Sequence, residues 1–238
     1  MWSRLFARAQ RAATLSAELT NSGAVDPELV WAVPRAALAM QLSIPPLDEI
    51  TYDYAEFVEG AAHAYETLNE LVYRRPTPED AALLEATCTP QIARILSKTA
   101  EELHGPEAEM SYELEQSRLA RRSLQACVAD VFSTERERDL EHTLRGYDDV
   151  MHDLDDDERA TRLGEIADEL LEIRKERAES DEPATTYSME FDVLFESNER
   201  MSVEAAGQTL AVEKRQRSTW RFLSPGLEAP EWRVCKIF

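Results

Sequence analysis

The spacing of apolar residues changes along this chain from a helical to an alternating period, and that change sets the fold class. From about Asp48 to Arg75 apolar residues recur every three or four positions, which predicts a long amphipathic helix. Prolines at 76 and 78 end it, and Thr77 with Asp80 predicts a capping box for a short second helix. A third helix is expected over Pro90–His104, so three helices precede the change of period.

After residue 113 the apolar residues alternate, as they do in strands. We expect one strand to end near Phe132 and three more at 187–197, Thr209–Leu223 and Trp232–Phe238. Helices followed by strands predict an α+β fold, with N-terminal helices packed on a twisted antiparallel sheet.

The alternation also predicts which side chains share a face of the sheet. In the first strand one face should carry Leu124, Ala126, Val128 and Asp130, and the other Cys127, Ala129 and Val131. In the second strand one face should carry Met189, Phe191, Val193 and Phe195, and the opposite face Glu190, Asp192 and Glu196.

An acidic segment, roughly residues 134–183, separates the first two strands. Residues 135–182 contain 19 acidic and 8 basic residues, a net charge of −11, which is about half of the −21 carried by the whole chain. Apolar residues of helical spacing predict two amphipathic helices, inserted as a hairpin and joined at the acidic run Asp153–Glu158. Within this run Asp155, Asp156 and Asp157 are the predicted contact for a partner.

A net charge of −21 in 238 residues repels phosphate backbones. We therefore expect no direct binding to DNA, and binding to RNA is disfavoured. The charge suits a basic protein partner, although a merely solvated acidic surface explains it as well.

The first 17 residues contain no acid, in contrast to the rest of the chain. Arg4, Arg8 and Arg11 fall on one helical face, while Trp2, Leu5 and Phe6 fall on another. This composition is typical of a mitochondrial transit peptide, so residues 1–23 are interpreted as a presequence-like segment. An ordinary basic surface helix is the alternative.

Residues 24–48 form a short apolar segment, interrupted at Pro34, which is too short and broken to span a membrane. We expect it to dock on protein through Trp31 and Leu38, or to lie at a membrane surface as an interfacial helix.

Candidates for catalysis are His63, Tyr52, Tyr54 and Asp130, since acid–base chemistry uses such groups. A packed or surface histidine and rim tyrosines explain them better. His142 and His152 lie ten residues apart, which is poor spacing for metal ligands. The aspartates from Asp153 onward lack the glycine and the closing glutamate of a calcium loop. No catalytic residue, metal or cofactor is therefore assigned.

The three cysteines, Cys88, Cys127 and Cys235, match no ligand or redox spacing. They are expected to be reduced, buried thiols.

Two stretches resemble the Tim-forty-four-like family, the C-terminal domain of the mitochondrial import-motor scaffold. FVEGAAHAYETLNELV, residues 57–72, resembles its opening helix, and MEFDVLFES resembles its middle strand. The end of the chain, with Trp220, Phe222, Pro230 and Trp232, resembles its closing hairpin. The likeness covers residues 50–132 and 187–238.

The resemblance implies a cone-like domain over residues 49–238, related to nuclear transport factor two. The residues that would define this fold are Phe57, Tyr65, Phe191, Trp220, Phe222, Pro230 and Trp232. Family members anchor import machinery, belong to the large mitoribosomal subunit, or assist inner-membrane complexes.

The expected function is that of a non-catalytic scaffold, accessory subunit or assembly factor of an inner-membrane complex, of the respiratory-chain or ATP-synthase type, on the matrix side. Its partners would be protein subunits of that complex, with peripheral contact to the membrane. Alternatives are a mitoribosomal protein, an import-motor anchor, or a small-molecule enzyme that uses the cone cavity. An interior filled by Phe191, Phe195, Trp220 and Phe222 would argue against the enzyme.

Overall fold

The computed structural model describes residues 2–29, 32–44, 47, 52–104, 110–179, 186–205, 208–224, 226 and 231–238. Its elements are, in order, α1 (Trp2–Asn21), α2 (Ala32–Leu42), α3 (Tyr54–Tyr73), α4 (Pro78–Thr87), α5 (Pro90–His104), β1 (Met110–Phe132), α6 (Glu135–Leu144), α7 (Asp156–Glu179), β2 (Thr186–Ala205), β3 (Gln208–Ser224) and β4 (Arg233–Ile237). The strands form one sheet in the order β1-β2-β3-β4, and each pair is antiparallel. The fold class is therefore α+β, as the change of period predicts.

The predicted interruption at Pro34 is absent, because Pro34 lies within helix α2. The helix begins at Ala32 and continues through this proline, which is its third residue. Backbone N–H groups of the first turn have no partner within a helix, so a proline costs little there. In the helices that the structure describes, no segment is long and apolar enough to cross a membrane.

Helix α3 begins at Tyr54, later than the predicted start near Asp48. The carboxylate of Asp53 accepts hydrogen bonds from the backbone N–H groups of Ala55 and Glu56, and so caps the first turn. The predicted capping box of α4 is present: the N–H of Thr77 donates to Asp80 at 2.6 Å. The predicted bounds of α5 are confirmed.

Strand β1 contains irregularities that overturn the predicted faces of its second half. Its register with β2 shifts between Leu124 and Ala126, so one extra residue is accommodated there. Beyond the shift Cys127 is 2% exposed on the face that holds Leu124, and Val128 is 39% exposed on the other. A bulge exchanges the two faces of every later residue, which a simple count by twos cannot detect.

The inner face of the sheet and helices α1–α5 enclose one core. The predicted inner residues of β2, Met189, Phe191, Val193 and Phe195, are all buried, which confirms that alternation. Six of the seven residues predicted to define the fold are described. Phe57, Tyr65, Phe191, Trp220 and Phe222 are buried and Trp232 is half-buried in this core; Pro230 lies outside the described residues.

Each edge of the sheet is contacted at one point by chain that precedes it. Along β1 the N–H of Leu124 donates to the carbonyl of Ala24 at 2.9 Å. Along β4 Cys88 forms a parallel bridge with Val234, and the N–H of Thr89 donates to the Val234 carbonyl at 2.9 Å. These contacts join the N-terminal part of the chain to the sheet at both of its edges.

The segment between β1 and β2 contains α6 and α7, but the first helix is shorter than predicted. Tyr147, Val150, Met151 and Leu154 keep helical spacing in the sequence, yet α6 ends at Leu144. Gly146 has φ +71°, and the N–H of Tyr147 donates back to the carbonyl of His142. This is a Schellman end, which turns the chain away from the helix axis.

Candidate functional site

The residues predicted to bind a partner differ in how exposed they are. Leu38 is 1% exposed and belongs to the core beneath α2, so its predicted contact with a partner is wrong: a buried side chain offers no surface. Trp31 lies outside the described residues. Asp155, Asp156 and Asp157 are exposed at the start of α7.

Asp155 has a structural role that explains part of this acidic run. Its carboxylate accepts hydrogen bonds from the N–H groups of Asp157 and Glu158, at 3.0 and 2.8 Å. The N–H of Asp155 in turn donates to the carboxylate of Glu158 at 3.1 Å. The run is therefore a capping box, and acids at a helix N-terminus also complement the helix dipole.

A second group of carboxylates extends along α7 itself, and we call it the acidic face. It consists of Asp157, Asp168, Glu172 and Glu176, whose spacings of eleven, four and four residues place them on one side of the helix. All four are exposed, and none forms an ion pair with a basic side chain in the described part of the chain. The sequence shows where these acids lie, but it does not show that they form no ion pairs.

The opposite side of α7 packs against α6. Ile166 and Leu170 form a small core with Leu140, separate from the main one. Arg136 donates to both carboxylate oxygens of Glu169, at 2.6 and 2.8 Å. The arginines of α6 and α7 are thus used in internal pairs, and Lys175 is the basic residue of α7 that is left exposed beside the acidic face.

Charged residues on the outer face of the sheet form a network that we call the outer-face cluster. Arg145 contacts Asp130 at 2.6 Å and Glu190 at 2.5 Å. Arg221 reaches the other oxygen of Glu190 at 3.0 Å and binds Asp192 through two hydrogen bonds of 2.7 and 3.0 Å. Glu190 is only 2% exposed, so two guanidinium groups compensate a buried carboxylate.

The cluster fixes the segment that follows α6 to the sheet. Tyr147 is buried against Leu223 and Cys235, and burial raises the pKa of its hydroxyl. Burial lowers the pKa of Arg145, but the hydrogen bond to Asp130 and the charge of Glu190 outweigh it and raise that pKa overall. Both groups keep their ordinary charge at neutral pH, so the attachment is a permanent part of the fold.

The inner face of β2 carries a polar group that sequence reasoning missed. The hydroxyls of Tyr65 and Ser197 lie 2.8 Å apart, and Ser197 donates to Glu199 at 3.0 Å. Glu199 is 2% exposed, and its second oxygen has no hydrogen-bond partner among the described residues. The sequence could have revealed this group, because the alternation from Phe191 to Phe195 places residues 197 and 199 on the same inner face.

The candidate catalytic residues are not brought together. His63 is exposed, whereas Tyr52 and Tyr54 are half-buried against Phe191. Asp130 lies in the outer-face cluster, on the opposite side of the sheet from the tyrosines.

The two candidate metal-binding histidines are also in different surroundings. His142 packs against Phe132 and Tyr147, while His152 is exposed and pairs with Asp153. Within the described residues, no three His, Cys, Asp or Glu side chains are grouped as a metal ion requires.

All three cysteines are buried and unpaired, as predicted. Burial raises the pKa of Cys88 and of Cys235 to about 12, so both are thiols at neutral pH and poor nucleophiles.

No protein-family model and no curated protein matches the chain. The resemblance of residues 50–132 and 187–238 to the Tim-forty-four-like family therefore stays a prediction.

Proposed function

We propose that the protein is a non-catalytic, protein-binding subunit that presents the acidic face of α7 to a basic partner. The acidic face is the observation that carries this proposal. Its four carboxylates extend over roughly 28 Å of helix at 1.5 Å per residue. None of them forms an ion pair among the described residues, and the single lysine on this side, Lys175, leaves the row with a net negative charge. Such a row attracts a complementary basic surface and accelerates encounter with it.

The filled interior supports a non-catalytic role. Phe191, Phe195, Trp220 and Phe222 are each at most 3% exposed, so the centre of the inner face is occupied by aromatic side chains. The His, Tyr and Asp side chains that acid–base chemistry would use lie on different surfaces.

The proposed location is the matrix side of the mitochondrial inner membrane, within a respiratory-chain or ATP-synthase type of complex. The acid-free first 17 residues of the chain, with Arg4, Arg8 and Arg11, support this, as does the resemblance described above. Leu19 of α1 is buried in the main core, which favours retention of this helix in the folded protein. Exposed Leu5 and Phe6 beside the arginines suit peripheral contact with the membrane.

We further propose that residues 49–238 form the cone-like domain of that family, with residues 134–183 as an inserted helical hairpin. The order of helices and strands supports it, as do the bulges that bend β1. A mitoribosomal protein and an import-motor anchor are alternatives within the same family. The acidic face disfavours the first, because it repels rRNA.

Affinity purification of the tagged protein from mitochondria tests the proposal when paired charge variants are compared. One variant neutralises the acidic face by Asp157→Asn, Asp168→Asn, Glu172→Gln and Glu176→Gln. The control neutralises four exposed acids of α3, α4 and α5, by Glu66→Gln, Glu70→Gln, Glu85→Gln and Glu101→Gln. Both variants change the net charge equally, so only the location of the charge differs.

We expect the wild type and the control to recover the same partner subunits, and the acidic-face variant to lose them. We also expect recovery to fall as salt rises, because exposed charges are screened. Equal recovery with both variants contradicts the role of the acidic face. Isolation of the wild type as a free matrix monomer contradicts the subunit proposal itself.

A further inference from the structure

A cavity of about 480 Å³ lies between the N-terminal half of α3, the C-terminal end of α4, and the sheet. None of its lining residues belongs to α7, so it is separate from the acidic face. Its volume is within the range of small-molecule sites, which is roughly 300–1,000 Å³. The cavity is therefore large enough for a small organic ligand.

Aromatic side chains form its floor. Phe57 and Phe222 line it with ring centroids 5.7 Å apart, and Trp232 packs on Phe57 at 4.6 Å. The indole N–H of Trp232 donates to the hydroxyl of Tyr52 at 2.6 Å, which holds both rings in place. The floor is thus apolar and aromatic, which favours contact with the apolar part of a ligand.

Carboxylates lie at the mouth of the same cavity. Asp53 and Glu56 both line it and are exposed, and its described lining contains no lysine, arginine or histidine. The nearby N-terminus of α3 contributes only about half a positive charge. Two carboxylates exceed this, so the mouth is electronegative.

A row of small residues leaves the cavity open along the helix. Gly60, Ala61 and Ala64 face it, and a Cβ atom built on Gly60 would meet no atom within 4 Å. Because Gly60 lines the cavity and has room for a Cβ atom, a leucine at this position should occupy part of the cavity.

We propose that this cavity binds a small organic cation, an ammonium group carried on an apolar body. The apolar body contacts the floor formed by Phe57, Phe222 and Trp232, and the ammonium group lies beside Asp53 and Glu56. Charge and shape both select this class: an anion is repelled at the mouth, and a purely polar cation gains nothing from the aromatic floor.

Isothermal titration calorimetry of the full chain with three probes of one shape tests the charge requirement. The probes are 4-phenylbutylammonium, 4-phenylbutanol and 4-phenylbutanoate. We expect the ammonium probe to bind with a dissociation constant at or below about 1 mM, as a ligand of this size can. The alcohol should bind about tenfold more weakly, since two exposed charge contacts are lost, and the carboxylate should not bind.

Variants locate the site. Gly60→Leu should abolish binding of the ammonium probe, whereas Gly164→Leu, at an equally open helical glycine of α7, should bind like the wild type. The double variant Asp53→Asn, Glu56→Gln keeps a good N-cap residue and should bind the ammonium probe no better than the alcohol. Thermal unfolding of each variant checks that the fold is retained.

Three results overturn the proposal. They are failure of the ammonium probe to bind the wild type, equal affinity for the ammonium and the alcohol, and unaltered binding by Gly60→Leu. If Gly60→Leu lowers the unfolding temperature, the double charge variant decides. None of these results depends on the acidic face or its partner.

Discussion

Glu190 occupies a position where an alternating strand predicts an exposed carboxylate, yet it is 2% exposed. Glu190 lies on the outer face of the sheet, where the segment after α6 covers it. That segment supplies Arg145 and β3 supplies Arg221, and both arginines pair with Glu190. Removing one partner of a buried ion pair leaves an uncompensated charge, which costs more than the pair contributes. The free energy of unfolding should therefore depend on each arginine.

Arg145→Met should lower the free energy of unfolding by about 2 kcal/mol, less than for a fully buried pair because Arg221 still contacts Glu190. Arg136→Met, which breaks the exposed pair with Glu169, is the control and should cost clearly less, because water screens an exposed pair. Urea unfolding followed by circular dichroism measures both. Equal losses for the two variants would show that the outer-face cluster adds no stability.

His142 should make stability depend on pH. Burial, with the charges of Arg138 and Arg145, lowers its pKa from 6.5 to about 4. The unfolded chain then binds more protons than the folded chain between these values, so stability rises with pH from 4 to 6.5. The full effect is roughly 3 kcal/mol, at 1.36 kcal/mol per pKa unit.

His142→Phe should flatten this dependence between pH 4.5 and 6.5 while keeping the contacts with Phe132 and Tyr147. His63→Gln changes an exposed histidine and should keep the wild-type slope. The measurement is the urea midpoint across this pH range. A wild-type slope in His142→Phe would assign the pH dependence to other groups.

A helix can end at a glycine with a positive φ even when apolar residues of helical spacing continue beyond it. Helical spacing persists from Leu140 to Leu154, but Gly146 takes a positive φ and α6 stops at Leu144. Tyr147 can then reach the outer face of the sheet. A single glycine thus decides which surface the following residues cover.

Two glycine-to-alanine substitutions should have opposite effects. Gly146→Ala should lower the free energy of unfolding by about 1 kcal/mol or more, since alanine is strained at φ +71°. Gly164→Ala lies within α7 with open space around it and should raise stability by up to about 1 kcal/mol. Thermal unfolding of both variants gives the signs; the same sign for both would contradict this account.

Helix α1 should contribute to the stability of the folded protein. Leu19 is 1% exposed, so Leu19→Ala should cost about 3 kcal/mol of unfolding free energy. Leu5 on the same helix is 53% exposed, and Leu5→Ala should change stability by less than about 0.5 kcal/mol. If urea unfolding gives a similar small loss for both, α1 does not contribute to the core.

The described part of the molecule combines one large core with two small clusters of buried residues. Helices α1–α5 share the main core with the sheet, whereas α6 and α7 contact one another through only a few buried residues. Segments with few buried apolar contacts open at lower free energy than the central strands. The acidic face therefore lies on the less stable part of the molecule.

Hydrogen–deuterium exchange measured by mass spectrometry should show this difference. We expect peptides from α7 to exchange faster than peptides from the half of β2 that contains Phe191 and Phe195. The matched reference is α3, a helix of similar length that packs in the main core. Equal protection of α7 and α3 would mean that the molecule opens as one unit.

Local sequence patterns determined the α+β class, the bounds of α5, the capping box at Thr77 and the inner face of β2. These follow from local rules, because each depends on residues within a few positions of one another. The aromatic residues of the core were also recognisable, since large apolar side chains in alternating strands have no other place to be buried.

Only the tertiary structure decided the faces of β1 after its bulge, the burial of Leu38, the outer-face cluster and the aromatic cavity. Each depends on chain segments that are distant in sequence: Arg145 meets Glu190 across 45 residues, and Tyr52 meets Trp232 across 180. A residue's exposure is set by what packs over it, and no local pattern encodes that neighbour. The acidic charge was visible in the sequence from the start, whereas the uncompensated face on α7 became visible only when the arginines of that unit were found in internal pairs.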